Sequence, residues 1–110
     1  MLETDSLKIK IESIKKTIEV LVSPLCEEKF SVIWYGAYDI DPKHLVYWIC
    51  VQSDRMKQEL KSNLSLIKNL RKTLEAQDYP IASREFVVFG FESQETVDRE
   101  SNGHWWHHFK

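Results

Sequence analysis

Leu45-Val46-Tyr47-Trp48-Ile49-Cys50-Val51 is a near-continuous apolar run, and its reading decides the fold. A run this short and this apolar fits a central strand covered on both faces. Ser53-Asp54 follows at once and supplies a helix cap with an acid in the first turn. Met56, Leu60, Leu64, Ile67, Leu70 and Leu74 then recur at three- and four-residue steps. That spacing predicts one long central helix, ended by Asp78-Tyr79-Pro80. Leu60, Leu64 and Ile67 hold the centre of the stripe and are expected in the core. Glu85-Phe86-Val87-Val88-Phe89-Gly90-Phe91 predicts a further strand. If it runs parallel to the first, the long helix is a right-handed crossover.

Upstream, Phe30 to Tyr38 reads as a strand rich in aromatic and β-branched residues. Gly36 within it suggests a bulge or a close backbone approach. Asp39 to His44 carries turn chemistry, so this strand and the apolar run form an antiparallel hairpin. Leu7, Ile11, Ile14, Ile18 and Leu21 put a helical stripe on about 7–22, capped by Asp5 or Ser6 and ended by Ser23-Pro24. Leu7 to Ile11 also alternates like a strand. Ser93 can cap a short helix over about 94–100, which Asn102-Gly103 closes through a left-handed residue. The order is α-β-β-α-β-α. It is an α+β two-layer sandwich: a three-stranded sheet packed by the long central helix and the N-terminal helix.

The chain has 110 residues, 43% of them hydrophobic, with a formal net charge of −2. That is enough chain for one core without disulfides or metal, so residues 1–110 are expected to form a single domain. Residues 104–110 form an aromatic and His-rich tail. A polar, acidic start (Met1 to Ser6) gives no expectation of a secretory leader, and no apolar stretch is long enough to span a bilayer. Cys26 and Cys50 are too few for a disulfide framework, and Cys50 lies within the apolar run. A reducing cytoplasm is the expected setting.

Charge is unevenly spread. Between residues 54 and 74, six basic residues stand against Asp54 and Glu59. Lys57, Lys61, Lys68 and Lys72 share a stripe on one helix, which is the footprint a phosphate backbone requires. A solvated helix face accounts for the same pattern, and the overall balance is not basic. From Glu85 onwards, five acids face Arg99 and Lys110.

His104, His107 and His108 fall at i, i+3 and i+4, so on a helix they share a face that can chelate a transition metal, with Glu100 one turn earlier. Gly103, just before them, argues against a continuous helix. Asp39 and Asp41 flank a turn where a hard cation could sit with Glu92 or Asp98, although Asp before Pro is ordinary turn chemistry. No nucleophile elbow, phosphate loop, dinucleotide fingerprint or zinc-protease motif occurs.

Trp34, Tyr35, Tyr38, Tyr47 and Trp48 crowd the hairpin. Adjacent strand residues point to opposite faces, so large rings line both faces. Glu92, Glu95, Asp98 and Glu100 surround the short C-terminal helix, and Trp105 and Trp106 follow. Acids beside amphipathic rings suit a partner-binding surface. The expected function is therefore a small non-enzymatic protein-binding module, of inhibitor or immunity type, that needs no cofactor and has another protein as its partner. A nucleic-acid-contacting domain using the lysine stripe is the alternative. A metal-dependent hydrolase built on Asp39, Asp41 and the His cluster is a further one.

Overall fold

The computed structural model describes residues 3–109, excepting the side chains of residues 3–5, 106 and 107. Its elements follow the expected order α-β-β-α-β-α. Helix α1 (Glu3–Val22) precedes β1 (Ser31–Tyr35) and β2 (Val46–Val51), then α2 (Asp54–Lys61), α3 (Leu64–Ala76), β3 (Val88–Ser93), α4 (Gln94–Ser101) and a single turn, α5 (Trp105–His108). The sheet order is β1-β2-β3. The β1 strand pairs antiparallel with β2, with Ile33 opposite Trp48. The β3 strand pairs parallel with β2, with Ile49 opposite Phe91.

Leu7, Ile11, Ile14, Ile18 and Val22 are the buried stripe of α1. Val22 is fully buried at the end of the stripe, and Leu21 is partly buried against the same core. The helix also starts at Glu3, ahead of the expected cap. The fully buried Tyr47 reaches across the core, and its hydroxyl donates to the Ile11 carbonyl at 2.7 Å. A buried hydroxyl needs a partner, and this one ties β2 to α1. Tyr47 also stacks on Phe89 at 5.4 Å between ring centres. Val32, Ile49, Val51 and Phe91 complete the inner face of the sheet, in one cluster with Met56, Leu60, Leu66, Leu70 and Leu74.

The long helix is not continuous. Ser62 ends α2, and Asn63 caps α3 by accepting from the Leu66 amide at 3.0 Å. The cap rotates the register, so Leu66, Leu70 and Leu74 are buried. Leu64 sits at the first helical position and is 81% exposed, contrary to its expected place in the core. Leu60 is buried as expected, and Ile67 is half-buried.

The first strand is shorter than expected, because the chain turns at Gly36. Its φ is +120°, and a Cβ there would lie 2.0 Å from the His44 carbonyl oxygen. The close approach inferred at this glycine is thus real, but it ends the strand. The third strand starts at Val88, after a 3-10 segment over Ile81–Phe86. Asn102 (φ 52°) and Gly103 (φ 81°) close α4 in left-handed conformations, as the sequence implies.

Leu70→Ala should cost about 2–5 kcal/mol through lost transfer energy and a cavity. Leu64→Ala should stay within about 0.5 kcal/mol. Urea melts of both variants check the register, and a cost of about 2–5 kcal/mol at Leu64 as well as at Leu70 would restore the continuous helix.

Candidate functional site

Alternation along the strands places Ser31, Ile33, Tyr35, Val46, Trp48, Cys50, Val88, Gly90 and Glu92 on the sheet face away from α1 and α3. The C-terminal segment folds back across this face. Phe109 stacks on Trp48 at 4.6 Å and lies 6.3 Å from Tyr35. The Trp48 indole N–H donates to the Tyr35 hydroxyl at 2.8 Å. Trp105 packs 5.6 Å from Phe109, and its indole N–H donates to Gln94 Oε1 at 2.7 Å. His108 joins Glu92 at 2.7 Å and the Ser101 hydroxyl at 3.1 Å. Gly90 leaves room for the Trp48 ring, since a Cβ there would meet it at 2.4 Å.

The cover is incomplete. A groove of about 570 Å³, lined by Ile33, Trp34, Tyr35, Trp105 and Phe109, runs along β1, which among the described residues is an edge strand. A second depression of about 230 Å³ shares Ile33 and Trp105 with it and extends past Ser31, Cys50 and Gln94. Ile33 (38% exposed) and Tyr35 (39%) remain accessible. Large rings with a polar tip, set around an apolar groove, are the usual makings of a protein contact.

The acids take a different role from the one expected of them. Parallel pairing ends β2 and β3 side by side, and each strand leads straight into a helix. The N-termini of α2 and α4 therefore lie together, each with unpaired N–H groups and a positive dipole end. Ser53 and Ser93 cap them, accepting from the Met56 and Thr96 amides. Carboxylates complete the arrangement. Glu95 accepts from the Asp54 amide at 2.8 Å, while Asp54 accepts from the Ser93 and Thr96 hydroxyls and from Arg99. Glu28 accepts from the Gln52 and Ser53 amides, each at 3.0 Å, and from the Ser53 hydroxyl. Glu92, at 8% exposure, accepts from Lys57 at 2.7 Å and from the Ser93 amide at 3.0 Å.

Of the six residues expected to bind a partner, then, Glu92 is buried in a cluster with Lys57 and His108, and Glu95 caps α2. Asp98 is exposed and accepts from Gln94 at 2.8 Å, and Glu100 is exposed. Trp105 lines the groove. The Trp106 side chain lies outside the described residues. The Lys57–Lys72 stripe does not run along one helix: Lys57 and Lys61 stand on α2, whereas Lys68 and Lys72 stand on α3. Lys57 is paired with Glu92, and the other three are exposed.

Among the described residues no three His, Cys, Asp or Glu side chains are grouped to hold a metal ion. His108 points to Glu92 and Ser101, and the His107 side chain lies outside the described residues. Gly103 ends α4 and leaves His104 ahead of α5. Asp41 caps the Pro42–His44 turn through the Lys43 amide at 3.1 Å. Burial raises the thiol pKa of both cysteines, that of Cys50 to about 11.

Ile33, Gln94 and Glu28 were missed by the sequence reading. Strand alternation puts Ile33 opposite the buried Val32, which was a usable signal. Glu28 acts on residues 24 and 25 positions away, and no local pattern announces that. Comparison with known proteins gives no match: no family model, curated protein or solved structure matches the chain.

Three carboxyls are held below their ordinary range. Hydrogen bonds from Ser53 lower Glu28, and those from Ser93, Thr96 and Arg99 lower Asp54. At Glu92 burial pushes upward, and bonds from Lys57, His108 and the Ser93 amide outweigh it. A depressed folded-state pKa adds stability above the unfolded value of about 4. Thermal midpoints should therefore hold from neutral pH to about 5 and fall below about 4. Ser93→Ala should cost about 1–2 kcal/mol in urea melts, since it removes the α4 cap and one partner of Asp54. A loss below about 0.5 kcal/mol would show that the paired helix ends do not depend on it.

Proposed function

We propose that the protein is a small non-enzymatic binding module that engages another protein through the groove along β1. The groove itself supports this reading: an apolar channel of about 570 Å³ beside a free strand edge, lined by two tryptophans, a tyrosine, a phenylalanine and an isoleucine. Rings of this kind give large contact area at low entropic cost, and the tyrosine and tryptophan tips add directional bonds. The acidic C-terminal segment supports an inhibitor or immunity-type role less well than its composition suggests. Glu92 and Glu95 are engaged inside the chain, and only Asp98 and Glu100 are left for an acidic contact.

Native copurification with mass spectrometry identifies the partner, and Ile33→Glu with Tyr35→Ser tests the surface. Both positions are partly exposed, so Ile33→Glu alone should shift the thermal midpoint little, whereas Tyr35→Ser also removes the acceptor of the Trp48 indole N–H and should lower it by a few degrees. The partner retained by the wild-type chain should be lost from the double variant, because a charge placed in an apolar contact and a lost ring each cost about 1–3 kcal/mol. Equal retention would remove the groove from the interface.

A further inference from the structure

The sheet has a second free edge, and its surroundings differ from those of the first. Among the described residues the β3 strand lies outermost, paired only with β2. The Val88 amide donates inward to the Leu45 carbonyl at 3.2 Å. Backbone groups alternate along a strand, so the N–H and C=O of Phe89 and Phe91 point outward. The next outward amide, that of Ser93, is already bonded by the Glu92 carboxylate. The chain thus closes its own edge at Ser93 and leaves it open before that point. No proline or inward-pointing charge blunts the edge over Val88–Phe91.

A groove of about 320 Å³ accompanies this stretch. Trp48, Gly90 and Phe89 border it on the strand side, and Lys61 and Ile67 on the helix side. Arg71 extends its guanidinium over the Phe89 ring, 5.2 Å from the centroid. Lys68 is exposed on α3, next to Ile67. The one acid lining the groove, Glu92, is matched by Lys57. With Glu92 matched by Lys57, the cations left at the groove are Lys61 and Arg71, although the chain as a whole carries −2.

We propose that the β3 edge binds an extended acidic segment of a partner polypeptide as a fourth strand of the sheet. Strand addition takes its affinity from main-chain bonds and its specificity from the pockets beside them. The outward groups of Phe89 and Phe91 supply those bonds. The apolar groove at Gly90 and Ile67 takes one side chain of the incoming strand. Lys61, Lys68 and Arg71 receive its carboxylates and repel a basic strand, which gives selectivity as well as attraction. A nucleic acid would use the cations but not a row of strand amides, so the edge favours a polypeptide. This site is on the opposite edge from the β1 groove and does not depend on that groove's function.

The probe is a fluorescein-labelled octapeptide alternating Glu and Val, titrated by fluorescence anisotropy. Three further probes share the assay: its Lys/Val counterpart, its analogue N-methylated at alternate residues on one edge, and single-stranded oligouridylate. The Glu/Val peptide should bind at least about ten-fold more tightly than either the Lys/Val or the N-methylated peptide. Lys61→Glu with Lys68→Glu alters exposed positions only, and should weaken the Glu/Val peptide by about ten-fold while leaving circular dichroism unchanged. Bound peptide should slow hydrogen exchange at the Phe89 and Phe91 amides in the ¹⁵N-labelled chain. Four results would each overturn the proposal: no saturation at millimolar peptide, equal binding of the N-methylated analogue, unchanged exchange at both amides, or preferential binding of oligouridylate.

Discussion

Two helix N-termini lie side by side in this protein, and much of its architecture follows from the need to satisfy them. Parallel pairing of β2 with β3 brings the starts of α2 and α4 together at one end of the sheet. Two positive dipole ends and their unpaired amides then share a small space. Such a place commonly receives an anion from outside. Here the chain supplies its own: Glu28 from the segment before β1, Asp54 and Glu95 reciprocally from the two helices, and Glu92 from the end of β3. Two of the five acids from Glu85 onwards, Glu92 and Glu95, are thereby accounted for by folding. The arrangement also links distant parts of the chain, because α2 is fully capped only when β3 and α4 are in place.

The aromatic residues answer a second constraint. A three-stranded sheet with helices on one face leaves the other to be covered or used. Tyr47 and Trp48, adjacent in sequence, point to opposite faces and mark the difference. Tyr47 is wholly buried and bonded to α1, whereas Trp48 meets Phe109 and Tyr35 in a half-covered layer. The short α5 turn is held there by His108 and Trp105, whose partners, Glu92 and Gln94, adjoin the capped helix ends. One polar network thus serves both the end of the sheet and its outer face.

The element order and the fold class were legible in the sequence because the signals were local. The apolar run at residues 45–51, the stripe of α1 and the Asn102-Gly103 closure each depend on neighbours within a few positions. The roles of the acids were not legible. Glu92 and Glu95 look like surface charge until β3 is placed beside β2, and the bonds that engage them span 35 and 41 positions. The crowding of rings on both faces of the hairpin was readable from alternation alone. The groove was not, because Trp105 and Phe109 reach it only once Gly103 has turned the chain back.

The junction at Ser62-Asn63 shows how little can separate two readings of one segment. A continuous helix would place Leu64 on the inner stripe, whereas the broken one places Leu66 there. Leucine replaces leucine, so the apolar surface buried is nearly the same either way and hydrophobicity cannot choose between them. The choice falls to the Asn63 side chain and its bond to the Leu66 amide, an interaction of about 1 kcal/mol. At this point of the fold a polar side chain selects the register, and the apolar pattern is degenerate.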